Sequence, residues 1–172
     1  MLNIYVNTWG NYNENGAFGG RWITLPMDEN ELEEQLNKIA KVMKDIDPEW
    51  FVNDYEWTGD VSPREIEELE NIIELNEYVQ KLDNLNQWDQ KTYCAACEVF
   101  GDIDPEDVDD YRLMEDVNND YDLGYYWIEE SGCYDLDKLG NLAHYIDYES
   151  FGRDVRFESD GAFSSYGWIE RC

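Results

Sequence analysis

The sequence predicts an α+β fold made of three small subdomains. Apolar residues make up 42% of the 172-residue chain, which is enough for buried cores, and 26 aromatic residues exclude a disordered acidic tail. Strand-like segments lie near both ends, whereas helix-like periodicity fills the middle. We therefore expect an N-terminal α+β subdomain over residues 1–61, a central helical subdomain over 62–122 and a C-terminal α+β subdomain over 123–172.

The N-terminal segment contains strand and helix signals. Strands are expected over residues 2–6, 21–25 and 50–52, with a Gly/Asn-rich loop over 11–20. Asp28 and Glu31 form a capping-box pattern, so a helix is expected to follow. The apolar stripe of this helix would be Leu32, Leu36, Ile39 and Met43.

The central segment is predicted to be helical. Ser62 and Pro63 supply an N-cap and a proline at the first helical position, and Leu69 and Ile73 would lie on the buried side of that helix. Further helices are expected over 88–100 and from Asp104. This segment carries a net charge of −15, whereas the N-terminal and C-terminal segments carry −8 and −6.

The C-terminal segment is predicted to be mixed. Residues 125–130 are expected to be helical, and Gly132 is a typical residue at which such a helix ends. An amphipathic helix is expected over 136–146. Strands are expected over 155–158 and 163–170, joined by a hairpin turn at 159–161.

The net charge of −29 is the most unusual property of the chain. Small soluble domains usually carry a charge of magnitude roughly 2–8, and self-repulsion destabilises a compact state with more. Halophilic adaptation, cation binding or a partner with a basic groove would explain the excess. Direct nucleic-acid binding needs a basic surface and is excluded. Duplex DNA carries one charge per roughly 1.7 Å, so this charge equals that of about 50 Å of duplex.

Carboxylates concentrate in two parts of the central segment, and both are candidate partner-binding surfaces. Glu67, Glu70, Glu74 and Glu77 would share one exposed face of the helix predicted from Pro63. The second group consists of Asp102, Asp104, Glu106, Asp107, Asp109, Asp110, Glu115 and Asp116.

The residue patterns predict no catalytic, metal or cofactor site. The calcium-loop spacing that begins at Asp116 has Tyr121 where a glycine is needed. Cys94 and Cys97 lack a second half-site, and the alanines between them suit a buried helix face. His144 has no partner that would make it a catalytic base. A hydrolase that uses a pair of carboxylates stays an alternative.

The first residues do not have the pattern of a targeting segment, and no apolar run is long enough to span a membrane. A soluble cytoplasmic protein is therefore expected.

Several motifs resemble those of the ArdA-type antirestriction proteins, which mobile elements carry to protect incoming DNA. The opening IYV at residues 4–6 is followed by YN at 12–13 and GRWI at 20–23. NDYE at 53–56 is similar to the family's HDYE, with asparagine in place of histidine. The most specific matches are YWIEESG at 126–132 and YIDYESFGRD at 145–154.

The resemblance implies an elongated three-part fold that mimics bent duplex DNA, forms a homodimer through its C-terminal part and catalyses nothing. It further implies binding to the DNA-recognition and methylation core of type I restriction–modification enzymes in a bacterial cytoplasm. An aromatic and apolar cluster in the least acidic segment supplies the candidate dimer residues: Tyr125, Tyr126, Trp127, Ile128, Tyr145, Ile146 and Tyr148. The alternative is a mimic directed at a nucleoid protein, a repair enzyme or a CRISPR effector.

Overall fold

The computed structural model describes residues 1–59 and 62–172. These residues form two compact units, Met1–Asn86 (unit 1) and Gln87–Cys172 (unit 2). Each unit has helices and a three-stranded antiparallel sheet, which confirms the α+β class. The division falls inside the predicted central subdomain, and the predicted boundary after residue 61 touches residues 60–61, outside the described residues. The three-part organisation stays a prediction.

Unit 1 is a sheet covered by two longer helices. Its strands are Leu2–Thr8 (β1), Arg21–Leu25 (β2) and Trp50–Trp57 (β3), in the order β2-β1-β3. Its helices are Trp9–Asn15 (α1), Glu29–Met43 (α2) and Ile72–Asn84 (α3). Alternate residues of β1 point into the core, where Leu2 and Ile4 pack with Leu32 of α2 and Leu75 of α3. The predicted capping residue Asp28 accepts a hydrogen bond from the Asn30 amide at 2.9 Å.

The predicted loop over residues 11–20 is wrong in its first half, because α1 occupies it. Thr8 caps this helix by accepting a hydrogen bond from the Asn11 amide at 3.2 Å. The Asn11 side chain links Asn7 and Asn15, at 2.8 and 2.9 Å. Asparagine is a poor helix former in isolation, and these side-chain contacts offset that weakness.

The helix predicted from Pro63 is also wrong, because α3 begins at Ile72. Asn71 is the actual N-cap and accepts a hydrogen bond from the Ile73 amide at 2.9 Å. The preceding residues follow the free edge of β3, where the Val52 amide donates to the Glu68 carbonyl at 2.8 Å. As a result Leu69, predicted to be buried, is 72% exposed, and Ile73 is 48% exposed.

Unit 2 combines a small sheet with three helices and several tight turns. Its strands are Tyr111–Met114 (β4), Gly161–Ser164 (β5) and Gly167–Arg171 (β6), in the order β4-β6-β5. Its α-helices are Gln87–Phe100 (α4), Asp120–Tyr125 (α5) and Tyr148–Glu158 (α6). A π-helical turn over Tyr126–Glu130 continues α5, and 3-10 turns form at Pro105–Asp110, Leu136–Lys138 and Gly140–Tyr145.

The structure confirms the helix over 88–100 and corrects five other elements of unit 2. The helix predicted from Asp104 is only the 3-10 turn Pro105–Asp110. Residues 155–158 end helix α6 and form no strand, and β4 was not predicted. The predicted helix over 136–146 is two short 3-10 turns. The predicted strand over 163–170 is instead the hairpin of β5 and β6, which turns at residues 165–166.

Candidate functional site

The most extensive chemical feature of the protein is its exposed carboxylate surface. Of the 40 acidic residues that the structure describes, 33 are exposed, six are half-buried and Glu170 is buried. By sequence, unit 1 carries a net charge of −13 and unit 2 a net charge of −16. Both units therefore present a strongly negative surface.

Four basic residues neutralise carboxylates that the fold partly hides. The pairs are Arg64 with Glu70, Lys91 with Glu115, Arg112 with Glu170, and Arg156 with Asp120. The hydrogen bond to Glu70 raises the pKa of Arg64 above its usual value. Because these four cations pair with half-buried or buried carboxylates, they leave most of the exposed carboxylates unneutralised.

The acidic row predicted over Glu67, Glu70, Glu74 and Glu77 is divided by the structure. Only Glu74 and Glu77 lie on helix α3, where both are exposed and rise about 4.5 Å apart along the axis. Glu70 is half-buried and binds both Arg64 and the Glu67 amide, the latter at 3.3 Å. The prediction of one continuous row of four carboxylates on a helix is therefore wrong.

The second predicted acidic group is built on the 3-10 turn Pro105–Asp110. Asp104 caps the turn by accepting a hydrogen bond from the Glu106 amide at 3.0 Å. Pro105 and Val108 are buried three residues apart. Since a 3-10 helix has three residues per turn, this spacing directs one face of the turn inward.

The remaining positions of the turn form two exposed acidic rows. Glu106 and Asp109 make up one row, and Asp107 and Asp110 make up the other. The members of each row rise about 6 Å apart along the axis. Asp102 and Asp104 extend the exposed group on the N-terminal side. Sequence reasoning expected these acids to be exposed, but the signal for two rows, a proline and a valine three residues apart, was missed.

The last two residues of this group lie in different surroundings. Glu115 is half-buried, and both of its carboxylate oxygens lie 3.2 Å from the Lys91 ammonium. Asp116 is exposed and lines a pocket of about 220 Å³. The other lining residues are Val117, Tyr121, Asp122, Tyr125, Tyr126 and Glu130. Tyrosine rings beside carboxylates suit a cationic side chain, and the sequence alone did not predict this pocket.

The candidate dimer residues divide into exposed and buried side chains. Tyr145 is 84% exposed, and Tyr125 is exposed beside the rings of Tyr121 and Tyr148. Ile128 belongs to the buried core of the protomer and is unavailable to a partner. The half-buried members are Tyr126, Trp127, Ile146 and Tyr148.

Across the described residues, 1–59 and 62–172, no group of three or more His, Cys, Asp and Glu side chains is placed to hold a metal ion. None of the helices there is long and apolar enough to cross a membrane. Cys94 is buried in α4, and this burial raises the pKa of its thiol to about 11.

The comparisons with known proteins bear on the whole chain. A family model described as antirestriction protein (ArdA) matches residues 4–170 and so covers both units. A search of curated proteins finds no match. The chain belongs to the ArdA family of antirestriction proteins.

Proposed function

We propose that the protein mimics duplex DNA and occupies the DNA-binding groove of a type I restriction–modification enzyme. The antirestriction function follows from the family. The observation that carries the mimicry is the exposed carboxylate surface, above all the two acidic rows of Pro105–Asp110. Occupying the groove would block restriction and modification of incoming mobile-element DNA without a catalytic step.

The spacing of the carboxylates supports this proposal. Phosphates advance about 3.4 Å along the duplex axis per strand. Each row of the 3-10 turn advances about 6 Å per carboxylate, so the two rows together approach the charge density of one DNA strand. A groove lined with lysine and arginine would meet a comparable density of negative charge.

Competition for the DNA-binding site tests the proposal directly. A purified core of a type I enzyme, with its recognition and modification subunits, is titrated with fluorescent duplex DNA in the presence of the protein. We expect mutually exclusive binding whose affinity falls steeply between 50 and 300 mM NaCl, since charge contacts are screened by salt. A ternary complex with DNA, or an affinity that does not change with salt, would contradict mimicry.

Neutralising variants locate the contact surface. Glu106→Gln, Asp107→Asn, Asp109→Asn and Asp110→Asn together remove four negative charges from the 3-10 turn. The matched control removes four others from unit 2, with Asp137→Asn, Glu149→Gln, Asp154→Asn and Glu158→Gln. Both variants change the net charge equally. We expect a larger loss of affinity for the first, and equal losses would remove the turn from the proposed contact surface.

A further inference from the structure

Unit 1 contains an open groove of about 520 Å³ that combines apolar and acidic side chains. Helix α2, the start of β3 and residues 69–73 form its walls. Leu36, Trp50, Leu69 and Ile73 supply apolar surface, and Glu29 and Glu33 lie on α2 beside it.

The apolar wall of the groove is held in place by specific contacts. Leu69 follows Glu68, whose carbonyl accepts a hydrogen bond from the Val52 amide of β3. Earlier in the same segment, the Arg64 carbonyl accepts a hydrogen bond from the Trp57 indole at 3.0 Å, and the Arg64 side chain pairs with Glu70. These contacts fix Leu69 in its exposed position. Exposed apolar surface with a polar rim commonly marks a binding site.

The charge of the groove restricts what can enter it. Glu29 and Glu33 are both exposed and lie one helical turn apart, about 6 Å along α2. The third carboxylate, Glu70, is already paired with Arg64. Every lining residue that the structure describes is neutral or acidic. An apolar group flanked by cations is complementary to this arrangement, whereas an anionic or uncharged polar group is not.

We propose that the groove receives a large apolar side chain flanked by lysine or arginine, carried by the basic DNA-binding surface of the restriction–modification enzyme. This inference rests on the proposed function and adds an apolar contact to the carboxylate surface. Proteins that bind DNA often insert apolar side chains between bases while cationic residues contact the neighbouring phosphates. The apolar wall of the groove, beside the carboxylates of Glu29 and Glu33, would offer such a protein the same two kinds of contact.

A substitution that adds negative charge separates this contact from pure electrostatic mimicry. Leu69→Asp makes the groove polar and the protein more acidic. Because Leu69 is 72% exposed, the variant should fold normally, which circular dichroism checks. Mimicry by charge alone predicts equal or tighter binding to the methyltransferase core. The groove predicts binding weakened about 10- to 100-fold, the range expected when an apolar side chain loses its buried site.

The matched control is Ile46→Asp, at a residue that is 99% exposed, lies in the same unit and does not line the groove. It makes the same change in charge and should leave binding unchanged or slightly tighter. If Leu69→Asp binds as tightly as Ile46→Asp, the groove inference is overturned while the proposed function stands. If the unaltered protein does not bind the core at all, the proposed function fails.

A peptide measurement tests the groove independently of the enzyme. The probe is a 12-residue peptide with one phenylalanine between pairs of arginine and lysine, compared with the same peptide carrying serine. In NMR spectra of the labelled protein, we expect shifts at residues 69–73 and at Leu36 with the phenylalanine peptide only. Equal shifts with both peptides, or none at these residues, would overturn the inference.

Discussion

Arg64 forms an ion pair with Glu70, and the two side chains lie inside one irregular segment that precedes helix α3. Their side chains are only 24% and 17% exposed. The Arg64 guanidinium also lies 4.4 Å from the ring centre of Tyr78 on α3. The pair therefore connects the segment, the helix and the wall of the groove.

Replacing Arg64 with alanine should lower the free energy of unfolding by about 1.5–3 kcal/mol, the usual contribution of a charge-assisted hydrogen bond. Urea denaturation measures the change. The control is Lys38→Ala, which removes the ion pair with Glu34, whose two side chains are both largely exposed. That pair should contribute less than about 0.5 kcal/mol. Equal effects of the two substitutions would argue against a structural role for Arg64.

Charge reversal on unit 1 should separate binding from folding. Changing Glu67, Glu74 and Glu77 to lysine moves the net charge from −29 to −23. All three are exposed, so the protein should still fold: the fall in like-charge repulsion offsets the loss of the hydrogen bond from Asn71 to Glu74 and of a favourable negative charge in the first turn of α3. Inhibition of the restriction enzyme should weaken in part. Adding Glu70→Lys should destabilise the fold, because a lysine would then face Arg64. Thermal unfolding and a restriction assay measure the two properties, and a fully active triple variant would place this surface outside the contact.

Gly152 should tolerate no side chain. A Cβ atom there would lie 1.8 Å from the carbonyl oxygen of Asp120 and 2.6 Å from the amide nitrogen of Gly124. Helices α5 and α6 would have to separate, so Gly152→Ala should cost about 3 kcal/mol, the upper part of the range for overpacking. The exposed residue Arg153 on the same helix supplies the control, since Arg153→Ala should change stability by less than about 0.5 kcal/mol. A normal unfolding midpoint for Gly152→Ala would contradict the close packing.

The cysteines should differ in reactivity. Burial raises the pKa of Cys94 to about 11, so at pH 8 its thiol is protonated as well as shielded. Cys133 and Cys172 are exposed. Iodoacetamide at pH 8 should modify these two well before Cys94, as peptide mass spectrometry would reveal. Denaturant should remove the difference, and rapid labelling of Cys94 in the folded protein would contradict its burial.

Local signals predicted the elements whose partners lie close in sequence. The Asp28 cap, the stripe that begins at Leu32 and the helix with buried Cys94 all follow from spacing within one helix. The pattern at Ser62 and Pro63 is an equally good local signal, yet no helix begins there, and further along the segment the Glu68 carbonyl accepts a hydrogen bond from the Val52 amide of β3. Burial of Ile66 in the core of unit 1 and the contact of Arg64 with the Tyr78 ring favour this irregular path, and both depend on residues distant in sequence.

Contacts with residues distant in sequence also explain the wrong predictions at the candidate site and at residues 155–158. Val155 and Phe157 alternate with polar residues as a strand would, but Gly152 allows α6 to pack against α5, and the segment is helical. Exposure of the acidic residues was predictable from charge alone. Their arrangement in two rows depends on the burial of Pro105 and Val108 in the fold of unit 2.

The protein should form a homodimer through its least acidic segment, residues 123–172, where the exposed rings of Tyr125 and Tyr145 can contact a second copy. Light scattering at 150 mM NaCl should give about twice the chain mass of 20.4 kDa. Tyr145→Asp should weaken the dimer, whereas Phe18→Asp, on a ring in unit 1 that is also largely exposed, should not.

The salt dependence of the dimer provides a second measurement. Two strongly negative chains repel each other, so added salt should strengthen dimerisation by screening that repulsion. The same salt should weaken binding to a basic partner. A monomer at micromolar concentration and moderate salt would reject the dimer, and a dimer that dissociates as salt rises would show that charge pairs, and not the tyrosine rings, hold it together.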